Sequence, residues 1–456
     1  MTTRKATERA DGAQSPQAEP QSGAPRATGS TREGGSKQAT GSPHEGSART
    51  AEAARATHAG GAAHAAGSAH DHVLPSYARS PIDFVRGEGA WMIASDGARY
   101  LDFLSGIGVN ALGHAHPRLV AALSEQLGTL VHTSNLYRSR SQERVSARLF
   151  EATGLEYCFF SNSGTEANEA GLKMARRFHK EAGAPRAGVL ALEDGFHGRT
   201  FGALSATWNE KYRKPFEPLV PTTTWIAPGD SDALERELTT RDYGVFLCEV
   251  IQGEAGVRPV DFGFLRRARE LCDATGTLLF VDEVQSGCGR TGRFLASQIA
   301  GVQPDIVSLA KPLGAGVPIG ATLCTAAIGS RMTPGTHGST FGGNALACRA
   351  AEVFLAELFD HELLDRVTIA GERFALGLDK LAKKHDHVTC QQGHGLMRAL
   401  VLDRDAGPFA DAMLREHLLA IASGGNRLRF LPPFIVSDDE IDEAIARIDR
   451  ALTLDA

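Results

Sequence analysis

Residues 277–292 read TLLFVDEVQSGCGRTG. The run Thr277–Asp282 is apolar until it stops at Asp282-Glu283, and a glycine-rich turn follows. A short apolar run without alternation is the pattern of a strand buried on both faces. Four more runs read the same way: Glu156–Phe160 (EYCFF), Gly188–Leu192 (GVLAL), Val245–Ile251 (VFLCEVI) and Ile306–Ala310 (IVSLA). Helical patterns lie between them, at Thr165–Lys180, Asp232–Thr239 and Asp261–Thr275. Strands alternating with helices predict an α/β fold, a mostly parallel sheet flanked by helices. From Asn344 the pattern changes. A long helical stretch runs to about Lys384, His387–Asp403 has strand character, and a helix opens after Ser437 with the capping sequence Ser437-Asp438-Asp439-Glu440. This predicts a smaller α+β domain, joined by the segment Val73–Leu127.

Ligands of an open α/β sheet bind outside the carboxyl ends of its strands. After EYCFF comes Ser161-Asn162-Ser163-Gly164-Thr165, leading into a helix. Such a helix start is an anion site, or simply an ordinary cap. After GVLAL comes Asp194-Gly195-Phe196-His197-Gly198-Arg199. Phe196 suits stacking on a flat ring or local packing, and Arg199 could fork onto a carboxylate. The acid at Asp282 resembles a nucleotide-hydrolase strand, but the chain has no G-x-x-x-x-G-K-[ST] loop. The other use of an acid there is to hold a cationic ring nitrogen. After IVSLA comes Lys311, then Pro312-Leu313-Gly314. A buried lysine is costly unless it is functional, and desolvation favours its nucleophilic neutral amine. Phosphate cradle, stacking ring, acid and lysine together match one cofactor, pyridoxal phosphate. No metal is expected.

The rest of the chain bounds this reading. Among 456 residues the net charge is −6, which argues against a nucleic-acid partner. No apolar run approaches the ~20 residues of a membrane span. The first 72 residues contain no Val, Leu, Ile, Phe, Trp, Tyr or Cys. Such a segment cannot bury enough apolar surface to offset its ordering entropy, so 1–72 reads as a disordered low-complexity tail. It has no export h-region, and its Glu8, Asp11 and Glu19 are unlike a transit peptide. Its dispersed His58, His64, His70 and His72 are a weak metal signal. The seven cysteines are odd in number and without C-x-x-C spacing, which fits reduced thiols in a cytoplasm.

Beyond the single strand ends, the chain resembles the class III, fold-type I aminotransferases, most of all the acetylornithine group. The resemblance runs from about Tyr77 to the C-terminus. It rests on FFSNSGTEAN, FHGRTFGALSAT, VIQGEAGV, LLFVDEVQSGCGRTG, SLAKPLGAGVPIGA, GTHGSTFGGNALAC and NRLRFLPP. It implies a seven-stranded-type sheet in a large pyridoxal-phosphate-binding domain at 128–343. The segment 73–127 and residues 344–456 would form the small domain. It implies that Lys311 holds the cofactor's aldehyde and shuttles a proton, that Asp282 pairs with the ring nitrogen, and that Gln285 bonds the ring hydroxyl. Phe196 and Val284 would cover the ring faces, and Gly164 and Thr165 the phosphate. Thr340 would complete the phosphate cradle from the neighbouring subunit of a homodimer, with Ser339 near the substrate. Arg429 would grip the α-carboxylate, Arg199 the distal carboxylate, and Glu254 would mask Arg429 when the amine donor binds.

The implied reaction is transfer from N2-acetyl-L-ornithine to 2-oxoglutarate in arginine biosynthesis. Ile107, where ornithine-type relatives are expected to carry tyrosine, favours an acylated ornithine. Alternatives are succinylornithine, succinyl-diaminopimelate, 4-aminobutyrate or ornithine as amine, an aminomutase or decarboxylating relative, and a non-catalytic scaffold whose tail binds partners. One departure concerns the lysine: Pro312 follows it where the family usually has glycine, which disfavours the right-handed helical region at Lys311.

Overall fold

The computed structural model describes residues 72–220 and 222–453. The expectation of a tail, with His58, His64 and His70, lies outside the described residues apart from the exposed His72.

A seven-stranded sheet forms the centre. Its order is Tyr157–Ser161, Gly320–Cys324, Ile306–Leu309, Leu278–Asp282, Tyr243–Cys248, Gly188–Leu192 and Thr223–Ile226. Gly320–Cys324 runs antiparallel to both neighbours, and the other contacts are parallel. The five expected strands are all present. Val245–Ile251 is shorter than expected, because the sheet strand ends at Cys248 and Ile251–Gln252 pairs instead with Arg258–Pro259. Thr223–Ile226 and Gly320–Cys324 complete the sheet.

Helices cover both faces. Gly164–Glu181 starts at Ser163, whose side chain accepts from the Glu166 amide at 3.3 Å. Its inner face is built from small residues, including Ala167, Ala170, Gly171 and Ala175. A Cβ on Gly171 would lie 2.4 Å from the Phe280 ring, so the helix rests directly on the strand that ends at Asp282. On Phe262–Thr275 the buried residues Phe264, Leu265, Ala268, Leu271 and Cys272 recur at helical spacing, and Gly276 closes it at φ +69°.

The expected single helix from Asn344 is two, Ala345–Asp360 and Leu363–Lys384, broken where Glu362 turns left-handed at φ +57°. The hairpin Val388–His394 and Met397–Leu402 joins Arg427–Phe430 and Ile421–Ser423 in a second sheet. Leu418–Leu419 pairs in parallel with Arg99–Asp102, which ties the N-terminal segment to the C-terminal region. Asp438–Thr453 carries the expected cap: Ser437 Oγ accepts from the Glu440 amide, and Glu440 accepts from the Ser437 amide. Arg290, fully buried, donates to the carbonyls of Leu396 and Pro432 and lies 4.4 Å from the Phe434 ring centre. It fastens the turn after Asp282 to the C-terminal strand. All seven thiols are free, and burial pushes that of Cys272 up to about 12.

Candidate active site

A cavity of about 400 Å³ opens at the carboxyl ends of the parallel strands. It is lined by Gly164, Thr165, Phe196, Arg199, Glu254, Asp282, Val284, Gln285 and Lys311. Nine of the twelve residues expected at the site thus meet in one space. Arg429 adjoins it and lines a neighbouring cavity that shares Phe196 and Glu254. Ser339 and Thr340 do not line the cavity, although Asn162, which does, donates to Ser339 Oγ at 3.2 Å. Val109 rather than Ile107 reaches it. The reason is a left-handed turn, Ser105 to Gly108, with φ between +50° and +76°, which leaves Ile107 more than a third exposed.

Asp282 is buried and held from several sides. Its Oδ2 accepts from Asn168 Nδ2 at 2.7 Å and from His197 Nδ1 at 2.8 Å, and its Oδ1 from the Val284 amide at 3.0 Å. Charge-assisted bonds of this kind fix the acid's position.

Lys311 follows the strand Ile306–Leu309 and sits at φ +28° before Pro312. The proline therefore coincides with a left-handed lysine, a strained conformation of the kind that persists where surrounding structure enforces it. Burial, then the nearby charge of Arg429, lower the amine's pKa against the opposing pull of Glu254, Asp282 and Glu249. The neutral, nucleophilic form is favoured.

At the helix start, Thr165 Oγ1 accepts from the amides of Arg199 and Thr200 and lies 2.8 Å from Thr200 Oγ1. A Cβ on Gly198, which is at φ +137°, would fall 2.1 Å from that oxygen, and one on Gly164 would fall 2.6 Å from Val284 Cγ1. The two glycines keep open a cradle that side chains would fill, at the N-terminus of an 18-residue helix. The Arg199 guanidinium stacks 3.6 Å from the Tyr212 ring centre.

Arg429 is 1% exposed. Its Nη1 donates to the Gly253 carbonyl at 2.9 Å, Glu254 Oε1 at 3.0 Å and Gln285 Oε1 at 3.3 Å. Burial works against ionising Glu254, but the charge and hydrogen bond of Arg429 outweigh it and hold the carboxyl below its usual range.

These features fit pyridoxal phosphate. The cradle suits the phosphate, the fixed carboxylate suits a protonated ring nitrogen, Phe196 and Val284 suit the ring faces, and Lys311 suits the aldehyde. Asn168, His197 and Glu249 were absent from the expected set. The signal for Glu249 was the strand-end rule applied to a fifth strand, Tyr243–Cys248, which it directly follows. His197 stood beside Phe196 in the same turn.

The family model for class-III aminotransferases matches residues 74–452. The chain is 44% identical over 382 residues to an acetylornithine aminotransferase of Aquifex aeolicus, covering 84% of this chain and 100% of that protein. It is 43% identical over 381 residues to one of Methanopyrus kandleri, covering 83% and 96%. Among solved structures, the ornithine aminotransferase of Toxoplasma gondii superposes with a TM-score of 0.80 at 35% identity, covering 84% of this chain and 92% of that one. An acetylornithine aminotransferase of Elizabethkingia anophelis gives 0.74 at 31%, covering 84% and 96%.

Proposed function

Because the chain belongs to the class-III aminotransferases, which depend on pyridoxal phosphate, we propose that it moves the terminal amine of N2-acetyl-L-ornithine to 2-oxoglutarate. The products are N-acetylglutamate semialdehyde and L-glutamate, and the step belongs to arginine biosynthesis. The observation that carries this reading is the Arg429–Glu254 pair beside Lys311. Paired, Arg429 is masked and the site takes a donor whose reacting amine has no neighbouring carboxylate. With Glu254 displaced, the same arginine grips the α-carboxylate of 2-oxoglutarate. Arg199 is the second cation, for the carboxylate at the far end of either substrate.

Pyridoxal phosphate, when bound, supplies an aldehyde that takes up the amino nitrogen and a ring that accepts an electron pair. The chain's residues do the rest. Asp282, fixed by Asn168 and His197, keeps a proton on the ring nitrogen. Gln285 bonds the ring hydroxyl, and Phe196 and Val284 cover the faces. Gly164 and Thr165 hold the phosphate. Lys311 Nζ, depressed in pKa, would carry the proton from the amine-bearing carbon of the substrate to the aldehyde-derived carbon of the cofactor in the first half of the cycle, and in the opposite direction in the second.

The working form is a homodimer that shares this site, with Thr340 and Ser339 serving the partner's cavity. Leu130, Val131, Leu136, Tyr137 and Phe341 are all exposed, and Asn135 ties this segment to the Ser339 and Gly342 carbonyls. A second copy is the natural cover for that apolar surface. Residues 128–343 act as the cofactor-binding domain, with 73–127 and 344–456 as the small domain. No described helix is long and apolar enough to cross a membrane.

Loaded protein mixed with single amines tests the reading. N-acetylornithine is expected to shift the cofactor's absorbance fastest, with glutamate appearing once 2-oxoglutarate is added. A faster response to 4-aminobutyrate or ornithine would overturn the substrate, and wild-type transfer by Lys311→Ala would overturn the lysine's role.

A further inference from the structure

Glu249 follows the strand Tyr243–Cys248 and lines the catalytic cavity, yet none of the roles above uses it. It is 6% exposed. Its two oxygens face different turns. Oε1 accepts from the backbone amide of Phe196 at 3.0 Å, and Oε2 from the backbone amide of Gly253 at 3.0 Å. Phe196 is the aromatic wall of the cavity. Gly253 is the residue whose carbonyl receives Arg429 Nη1, and it directly precedes Glu254. A Cβ on Gly253 would lie 2.5 Å from the Gln285 amide group, so this turn also abuts the residue assigned to the ring hydroxyl. Among the described side chains only Glu249 accepts from both of these amides, and Gln252 Nε2, which donates to the Glu193 carbonyl at 2.7 Å, adds a second link between the two turns.

We propose that Glu249 is a positioning residue that ties the turn carrying Phe196 to the turn carrying Gly253 and Glu254, so that one carboxylate sets both the cofactor-ring wall and the Arg429–Glu254 gate. This deepens the aminotransferase reading and rests on it. The chemistry follows from the acceptor count. An ionised carboxylate can accept from both amides at once. A protonated one turns an oxygen into a donor, and one of the two amides then loses its acceptor in a dry environment, where that loss is costly.

The groups facing Glu249 decide when this happens. Burial raises its pKa and Asp282 adds to the rise. The charge of His197 and the two amide bonds oppose it, and the carboxyl is brought up to about 7. Lys311, across the cavity, is coupled to it by charge, as is Cys248 next to it in the chain. The tie therefore holds above neutrality and slackens as pH falls through it.

Glu249→Gln keeps the volume and one acceptor but turns a donor toward the second amide. In the holoenzyme, pyridoxal phosphate is expected to dissociate about tenfold more readily, and KM for 2-oxoglutarate to rise by a similar factor. The change in kcat is expected to stay within about threefold. The wild-type acid limb near neutrality disappears in this variant, while Glu249→Asp, which keeps the charge, retains it. Wild-type affinity, KM and pH profile in a folded Glu249→Gln enzyme would overturn the proposal. If that variant does not fold, hydrogen exchange of the wild-type apoenzyme gives the answer. Protection of the Phe196 and Gly253 amides is expected to fall together from roughly pH 8.5 to 5.5, as the carboxyl titrates. Protection that does not change, or changes at only one amide, would overturn the tie. This measurement needs neither cofactor nor substrate. A wild-type protein that transfers no amine therefore sinks the aminotransferase reading while exchange still judges Glu249.

Discussion

Arg429 is the residue on which the dual-substrate reading turns. Its guanidinium is buried and its Nη1 is shared between two carbonyl-type oxygens and the Glu254 carboxylate. A charged hydrogen bond of this kind contributes about 1.5–3 kcal/mol. Arg429→Ala is therefore expected to raise KM for 2-oxoglutarate by roughly ten- to a hundredfold. The half-reaction with N-acetylornithine, in which the arginine is masked, is expected to change far less. Equal losses in both half-reactions, read by stopped-flow absorbance, would contradict the masking. The variant also reports on pH. Glu254 now titrates below its usual range, because Arg429 outweighs the effect of burial. An acid with a depressed folded pKa contributes stability above its unfolded pKa and loses it as pH falls through the folded one, so the pair is intact across the neutral range. Without Arg429, burial is no longer offset and the carboxyl shifts upward. Acid sensitivity is then expected to begin at higher pH than in the wild type. Much of this was legible in sequence, since Lys311, Asp282 and Glu254 each end an apolar run or sit in a distinctive turn. Asn168 was not, because mid-helix asparagine carries no local signal and acts through a partner 114 residues away.

Among the elements, the helix Gly164–Glu181 has the most to do, since its first turn is both a capped terminus and the proposed phosphate site. The cap is present in the structure, and the proposed phosphate site shares the same turn. Ser163 Oγ accepts from the Glu166 amide and the Glu166 carboxylate accepts from the Asn162 amide just before the cap, while Gly164 and Thr165 face the cavity. Loss of an N-cap hydroxyl costs about 1 kcal/mol. Ser163→Ala is expected to lower stability by about that amount in the apoprotein and to weaken pyridoxal phosphate binding as well, because the same turn holds the phosphate. Denaturant melts with and without cofactor separate the two effects, and a loss confined to the apoprotein would detach the cap from the cradle. The elements missed in the sequence share a physical cause. Gly320–Cys324 (GATLC) opens on glycine and lies antiparallel between two strands, so only its neighbours define it. The break at His361-Glu362 has no glycine or proline to announce it, and a left-handed glutamate does the work. Strands bounded by turn residues and buried on both faces were plain, because composition alone marks them.

For the whole molecule, the question is what covers the surface around Ser339 and Thr340. The main apolar core already draws together Leu101 and Phe103, the sheet residues Phe160, Val307 and Leu323, the helix Ala345–Asp360, and the C-terminal Phe430 and Phe434. Leu136 at 86% exposure and Phe341 at 61% are not part of it. Covering a Leu or Phe fully contributes about 1.5–3 kcal/mol, and a two-fold symmetric interface counts each residue twice. Leu136→Asp with Phe341→Asp is therefore expected to convert a dimer to monomers in sedimentation, while the fold survives, because neither side chain supports its own core. Activity is expected to fall with the dimer, and more than Arg429→Ala lowers it, since on the proposed reading Thr340 and Ser339 would no longer serve the partner's cavity. Adding a large excess of pyridoxal phosphate would recover part of it, because a weakened phosphate site is a binding defect that mass action can offset. A fully active monomer would show that each cavity is complete within one chain, and Thr340 would then have no part in the cradle. Retention of the dimer by the double variant would move the interface elsewhere on the surface, leaving Leu136 and Phe341 without a cover.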